Sequence, residues 1–126
     1  MNKPNPVVWF EIYVQDMARA RAFYEHVLAV KLEALPAPMD GLEMWTFPSR
    51  MEAPGAAGAL VRMEGAPSGG FGTLVYFACD DCAVEAGRVV AAGGRLHQEK
   101  VSIGEYGHIA LAFDTEGNQF GLHSMT

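Results

Sequence analysis

The sequence has little to hold it together covalently. It has two cysteines, Cys79 and Cys82, too few for a disulfide framework, so apolar packing must supply the core. Basic residues are scarce. Nine Lys and Arg stand against 15 Asp and Glu, a formal charge of −6. That balance repels phosphate backbones and excludes the basic footprint of a nucleic-acid binder. Charged residues of both signs make up only 19% of the chain, which excludes a disordered tail. Long apolar runs are missing too. Residues 6–14 are interrupted by Glu11 and followed at once by Gln15 and Asp16. That stretch is too short to span a bilayer and has no signal-cleavage pattern. The expectation is a cytoplasmic protein with neither membrane nor nucleic-acid partners.

What is present is apolar: half of the 126 residues are hydrophobic, enough to bury the core of one domain. Residues 7–14 are β-branched and aromatic and read as a strand. Asp16 is placed to cap a helix over 17–29, in which Ala20, Phe23, Tyr24, Val27 and Leu28 share one apolar face, with Phe23 and Tyr24 expected in the core. Short strands follow at 31–35, 42–47 and 57–63. The Gly-, Pro- and Ser-containing stretch 64–72 is a linker. It is no phosphate loop, because no lysine follows it and it leads into a strand.

The order then repeats. A strand covers 73–79, and a helix over 82–92 is capped by Asp81 and stopped by Gly93 and Gly94. Strands follow at 95–99, 109–113 and 119–124, the last two joined by a tight turn. Superposing Asp16 on Asp81 puts Trp9 on Leu74 and Glu11 on Tyr76, and superposing Gly55 on Gly117 puts Ala59 on Gly121. The repeat is one of pattern, not identity. One helix per module cannot cover both faces of its sheet. The expected class is α+β, two βαβββ modules in tandem whose curved mixed sheets enclose a shared cavity. Residues 1–126 form a single domain: module one 1–63, linker 64–72, module two 73–126.

The corner carrying Val14, Asp16, Phe23, Tyr24 and Leu28 resembles the strand-to-helix signature of the vicinal-oxygen-chelate superfamily, which includes glyoxalase, bleomycin-resistance and dioxygenase proteins; Ala29 stands where that signature has glycine. Asp114, Gly117 and Asn118 resemble the superfamily's terminal Asp-Pro-x-Gly-Asn hairpin, with Thr115 replacing proline. The opening Val8, Trp9, Phe10, Glu11 and Ile12 is similar to a large bacterial branch. Metal enzymes of the superfamily hold one divalent ion with residues from the first and last strand of each module. Carried onto this sequence, those positions fall on Trp9, Ala59, Leu74 and Gly121, and none of these ligates a metal. The resemblance implies a branch without the usual ligands: no metal and no cofactor is expected, and an enzyme label is not inherited from the fold.

Period-two alternation from those positions defines the expected ligand-binding lining. Trp9, Glu11 and Tyr13 come from the first strand, and Ala59 and Val61 from the fourth. Leu74, Tyr76 and His123 complete it, with Gly121 leaving space. The result is an aromatic, apolar cleft with a few polar points, the usual make-up of a small-molecule site. Glu11 is open to three readings: a general base, an acceptor for a ligand cation or hydroxyl, or a structural partner of an arginine or backbone donor. His123 reads as a base, a lone metal ligand or a polar strand end; His108 reads as a base or a solvent-facing loop residue. Cys79 and Cys82 form a C-x-x-C, but two aspartates between the thiols oppose a thiolate, and both read as core or boundary residues. The expected function is binding of a small aromatic or amphipathic molecule by a homodimer. The alternative is a lyase, isomerase or dioxygenase-like enzyme using Glu11 with His123 or His108.

Overall fold

The computed structural model describes residues 5–70 and 72–126, so Phe71 of the linker lies outside it. Contacts divide the described residues into two compact units, Trp9–Thr73, and Leu74–Thr126 with residues 5–8. The first unit contains β1 (Val7–Tyr13), α1 (Met17–Leu28), β2 (Glu33–Leu35), β3 (Leu42–Thr46) and β4 (Ala57–Met63), with strand order β2-β3-β4-β1. β1 and β4 run parallel, with Glu11 opposite Ala59; β3 is antiparallel to both its neighbours.

Asp16 caps α1 from the β region, its carboxylate accepting the Arg19 N–H at 3.0 Å. Alternation sends Ile12, Leu60 and Trp45 toward α1. There they pack with Met17, Leu32, Tyr24 and Phe47. Gly58 belongs to this layer because the Phe10 ring lies where a Cβ would stand. The apolar stripe of α1 is narrower than the sequence suggests. Met17, Ala20 and Tyr24 meet the sheet, whereas Phe23 and Val27 are each 58% exposed and Leu28 is 52% exposed. The sheet covers only the narrow line of positions spaced three and four apart, and Phe23 sits on the flank beside it.

α1 ends on Ala29, whose φ of 54° and ψ of 46° are left-handed, with its N–H bonded to the Glu25 carbonyl. A Cβ is strained in that region, and glycine is the usual occupant. Ala29→Gly is expected to stabilise the chain by about 0.5–1 kcal/mol, the relief of strain exceeding the added unfolded-state entropy. Urea denaturation checks this; a loss of stability contradicts the assigned cap.

The second unit contains β5 (Thr73–Ala78), α2 (Cys82–Ala86), β6 (Arg95–Ser102), a 3-10 turn (Gly104–Tyr106), β7 (His108–Phe113) and β8 (Gln119–Ser124), in strand order β5-β8-β7-β6. Again the first and last strands are parallel, with Tyr76 opposite Gly121, and the other pairs are antiparallel. Both registers agree with the superpositions that match Glu11 to Tyr76 and Ala59 to Gly121. Cys82, Ala86, Ala110 and Leu122 form the core under α2. The closing hairpin is built by Asp114, whose Oδ1 accepts the N–H groups of Glu116 at 2.8 Å and Asn118 at 2.9 Å. These bonds hold the Asp114 carboxyl below its ordinary range.

Three elements differ from expectation by two residues or more. The helix over 82–92 stops at Ala86. Past Gly87 the chain continues in turns, with Arg88 bonding back to Glu85 and Val89 to Ala86. A glycine followed by two β-branched valines weakens regular helix there. The strand over 95–99 instead runs to Ser102, because register shifts around Gln98 carry its pairing past the break. The strand over 31–35 shrinks to Glu33–Leu35. Among the described residues no helix is long and apolar enough to cross a membrane.

Candidate functional site

β1 places Trp9, Glu11 and Tyr13 on the sheet face opposite α1, because successive side chains alternate. On the same face stand Ala59 and Val61 of β4 and Met44 of β3, all buried, with Leu35 and Leu42 beside them. Glu11 is 9% exposed. Its two oxygens are shared between the flanking aromatics: the Trp9 indole Nε1 donates to Oε2 at 3.1 Å, and the Tyr13 hydroxyl donates to Oε1 at 2.7 Å. Neither donor is charged, and among the described residues no basic side chain pairs with Glu11. The arginine or backbone partner considered from the sequence is therefore not what holds it. The face is also more closed than the open cleft expected from alternation.

Burial pushes the Glu11 carboxyl above its ordinary value, and the Tyr13 and Trp9 hydrogen bonds pull it partly back. Removing one of those donors tests the balance. Tyr13→Phe is expected to raise the Glu11 pKa further, read from the carboxyl carbon in an NMR titration. A fall would show that the hydroxyl does not donate to the carboxylate.

In the second unit Leu74 and Tyr76 of β5 share a face with Gly121 and His123 of β8. Tyr76 is buried, and its ring lies over Gly121, so that a side chain at 121 would collide with it. His123 Nε2 lies 2.6 Å from the Tyr106 carbonyl; a carbonyl only accepts, so this nitrogen carries the proton and ties β8 to the 3-10 turn. His108 stands on the opposite face. It is the register partner of Ser124, whereas His123 pairs with Ile109. Its Nδ1 is buried and without a hydrogen-bond partner, which corrects the solvent-facing loop reading.

The four metal-ligand positions implied by the resemblance do not fit a metal. Trp9, Ala59, Leu74 and Gly121 offer no donor suited to one, and the space at Gly121 is taken by the Tyr76 ring. Among the described residues no three His, Cys, Asp or Glu side chains are placed to hold an ion.

The C-x-x-C motif is not poised for thiol chemistry. Cys82 is fully buried in the core. Burial first, and the nearby Glu85 carboxylate second, push the Cys79 thiol up to about 11. A shallow hollow of about 410 Å³ lies at the β1–α1 corner beside Asp16, Arg19, Phe23 and Ser68. Of the expected site residues it touches only Tyr13, and it contains no buried charge. The sequence pattern missed the pinning of His123, because a bond to a carbonyl 17 residues away leaves no local signal.

Residues 7–38 match the family model described as bleomycin resistance protein-like N-terminal. A sequence search of curated proteins found no match. Solved structures agree on the fold. Methylmalonyl-CoA epimerase from Mycobacterium tuberculosis superposes with a TM-score of 0.69 at 16% identity, over 96% of this chain and 88% of that one. A hypothetical protein from Bacillus halodurans C-125 gives 0.73 at 14% identity, over 98% and 96%. A variant methylmalonyl-CoA epimerase from Streptomyces coelicolor, in complex with 2-nitronate-propionyl-CoA, gives 0.69 at 15% identity, over 97% and 95%. The chain thus has the tandem βαβββ fold of these structures, and its first strand and helix are similar to the bleomycin-resistance-like proteins, as the resemblance to the vicinal-oxygen-chelate superfamily implies.

Proposed function

We propose that the chain binds a small aromatic or amphipathic molecule on the face of Trp9, Glu11 and Tyr13, without the superfamily's standard metal. The observation that carries this reading is the Glu11 carboxylate: desolvated, uncompensated by any described cation, and flanked by two aromatics that hold its orientation. A buried charge without a counter-ion costs stability, and such groups persist where a ligand uses them. The partly exposed Trp9, Tyr13 and Leu42 supply apolar surface for the body of a ligand. Leu74, Tyr76, Gly121 and His123 form the corresponding face of the second unit and belong to the same reading.

The test is a ligand screen followed on the two indole N–H resonances. Binding at this face is expected to shift Trp9 and leave Trp45, on the helix side, unmoved. Ligands that shift only Trp45 or residues at the Phe23 hollow count against it. An isomerase- or lyase-type proton transfer by Glu11 is the second reading, favoured by its raised pKa and by the epimerases among similar folds. The histidine partners weigh against it: His123 Nε2 is engaged by Tyr106, and His108 faces the helix side of its sheet.

We also infer a cytoplasmic homodimer. The free thiols suit a reducing compartment, and exposed Phe23, Val27 and Leu28 on α1 supply apolar surface for a second copy. Light scattering at micromolar concentration is expected to give twice the chain mass; the monomer mass overturns the dimer.

A further inference from the structure

We infer that the Glu11 face recognises an organic ammonium, a primary or secondary amine carried on a compact apolar body, with the carboxylate between Trp9 and Tyr13 as its counter-charge. The inference rests on the binding reading above and narrows it to a ligand class.

A carboxylate has about four acceptor sites. Glu11 uses one on each oxygen, for two neutral donors, so acceptor capacity remains and the charge is not cancelled. Among the described residues the elements around it supply no compensation. β4 presents Ala59 and Val61 and β3 presents Met44; none is charged and none titrates. Tyr13 is the titratable group in contact with Glu11. Arg21 of the same unit is committed on the other side of the sheet. Its guanidinium lies 3.5 Å from the centre of the Trp45 ring and is paired with Glu25.

The missing component is therefore a cation that brings N–H donors and an apolar body. A metal ion demands several hard ligands, and among the described residues Glu11 belongs to no group of three His, Cys, Asp or Glu side chains that could hold one. A neutral alcohol would leave the charge uncompensated, and an anion would be repelled. An ammonium forms charge-assisted bonds to the carboxylate and lays its carbon atoms against the half-buried Trp9 and Tyr13 rings. Binding requires ionised Glu11, so ammonium affinity must rise with pH until the carboxyl has fully titrated, and burial places that window above the usual glutamate range.

The experiment titrates phenethylammonium, phenethyl alcohol and hydrocinnamate into the full chain and reads the Trp9 indole N–H. Phenethylammonium is expected to bind at least roughly tenfold more tightly than the alcohol, with hydrocinnamate weakest, and E11Q is expected to abolish that preference while changing the alcohol's affinity by no more than about twofold. An alcohol that binds as tightly as the ammonium, or a preference that survives E11Q, overturns the ammonium inference and leaves the binding reading standing. No response to any of the three probes overturns both. If E11Q does not fold, a pH series on the unmodified chain decides: ammonium affinity rising while alcohol affinity stays flat supports the inference, and equal slopes overturn it.

Discussion

Glu11→Gln is expected to leave the chain about as stable at neutral pH as the unmodified protein, within about 1 kcal/mol, or to stabilise it, while weakening a cationic ligand by roughly 1.5–3 kcal/mol, about 10- to 150-fold. Two effects compete in the empty protein. The glutamine oxygen accepts only one of the two donors now shared between the carboxylate oxygens, which costs about 1 kcal/mol. Against that, a desolvated charge is removed. The folded-state pKa of Glu11 is raised, so the folded protein binds its proton more tightly than the unfolded chain does. The stability this contributes is complete below the unfolded value and is lost as pH rises through the folded value. Glutamine lacks that dependence. The mutant should therefore gain on the unmodified protein as pH rises from the acid side toward neutrality. Urea unfolding at a series of pH values measures this. If the unmodified chain instead gains on the mutant with rising pH, Glu11 is a paired, structural carboxylate and the site is lost.

The second large effect concerns Gly121. Its missing side chain lets the Tyr76 ring lie directly over β8. One edge of the ring blocks the position from Cγ to Cε1, so a movement at the hydroxyl tip alone does not relieve the clash. Tyr76 is buried and has little room to retreat. Gly121→Ala is expected to destabilise by about 2–3 kcal/mol through overpacking. In a Tyr76→Leu background the same change should cost less than about 1 kcal/mol, a coupling that a double-mutant cycle reads directly. Equal costs in the two backgrounds would show that the ring does not occupy this space. The same crowding means that placing a glutamate at 121 alone does not restore a metal ligand.

Much of this was legible in the sequence. Asp16 and Asp81 mark both helix starts, Asp114 and Asn118 mark the last hairpin, and the offset between the two caps places Glu11 across from Ala59 just as it places Tyr76 across from Gly121. Period-two alternation put Trp9, Glu11 and Tyr13 on one face, because that period is a property of the strand backbone. What escaped depended on distant partners. Phe23 and Tyr24 are adjacent in one apolar stripe, yet Tyr24 packs on Phe47 while Phe23 remains exposed; only the position of β3 decides which is covered. The orientation of His108 depended on whether β7 began at 108 or 109, and a one-residue change flips the face. The donors to Glu11 were nearby in sequence, but nothing in the pattern specified that the indole and phenol would turn toward the carboxylate.

β6 has one more consequence, for behaviour at high concentration. An eight-residue strand at the end of the β5-β8-β7-β6 order is the kind of edge on which foreign strands assemble into fibrils. Here the ladder to β7 slips on both sides of Gln98, and the slipped stretch carries His97, Glu99 and Lys100. A bent, charged edge offers no continuous row of backbone groups to an incoming strand. At the other end of the first unit's order, β2 is only three residues long and begins with Glu33. These edges protect the chain against cross-β growth, and a deletion that straightened β6 would turn it into a template for aggregation.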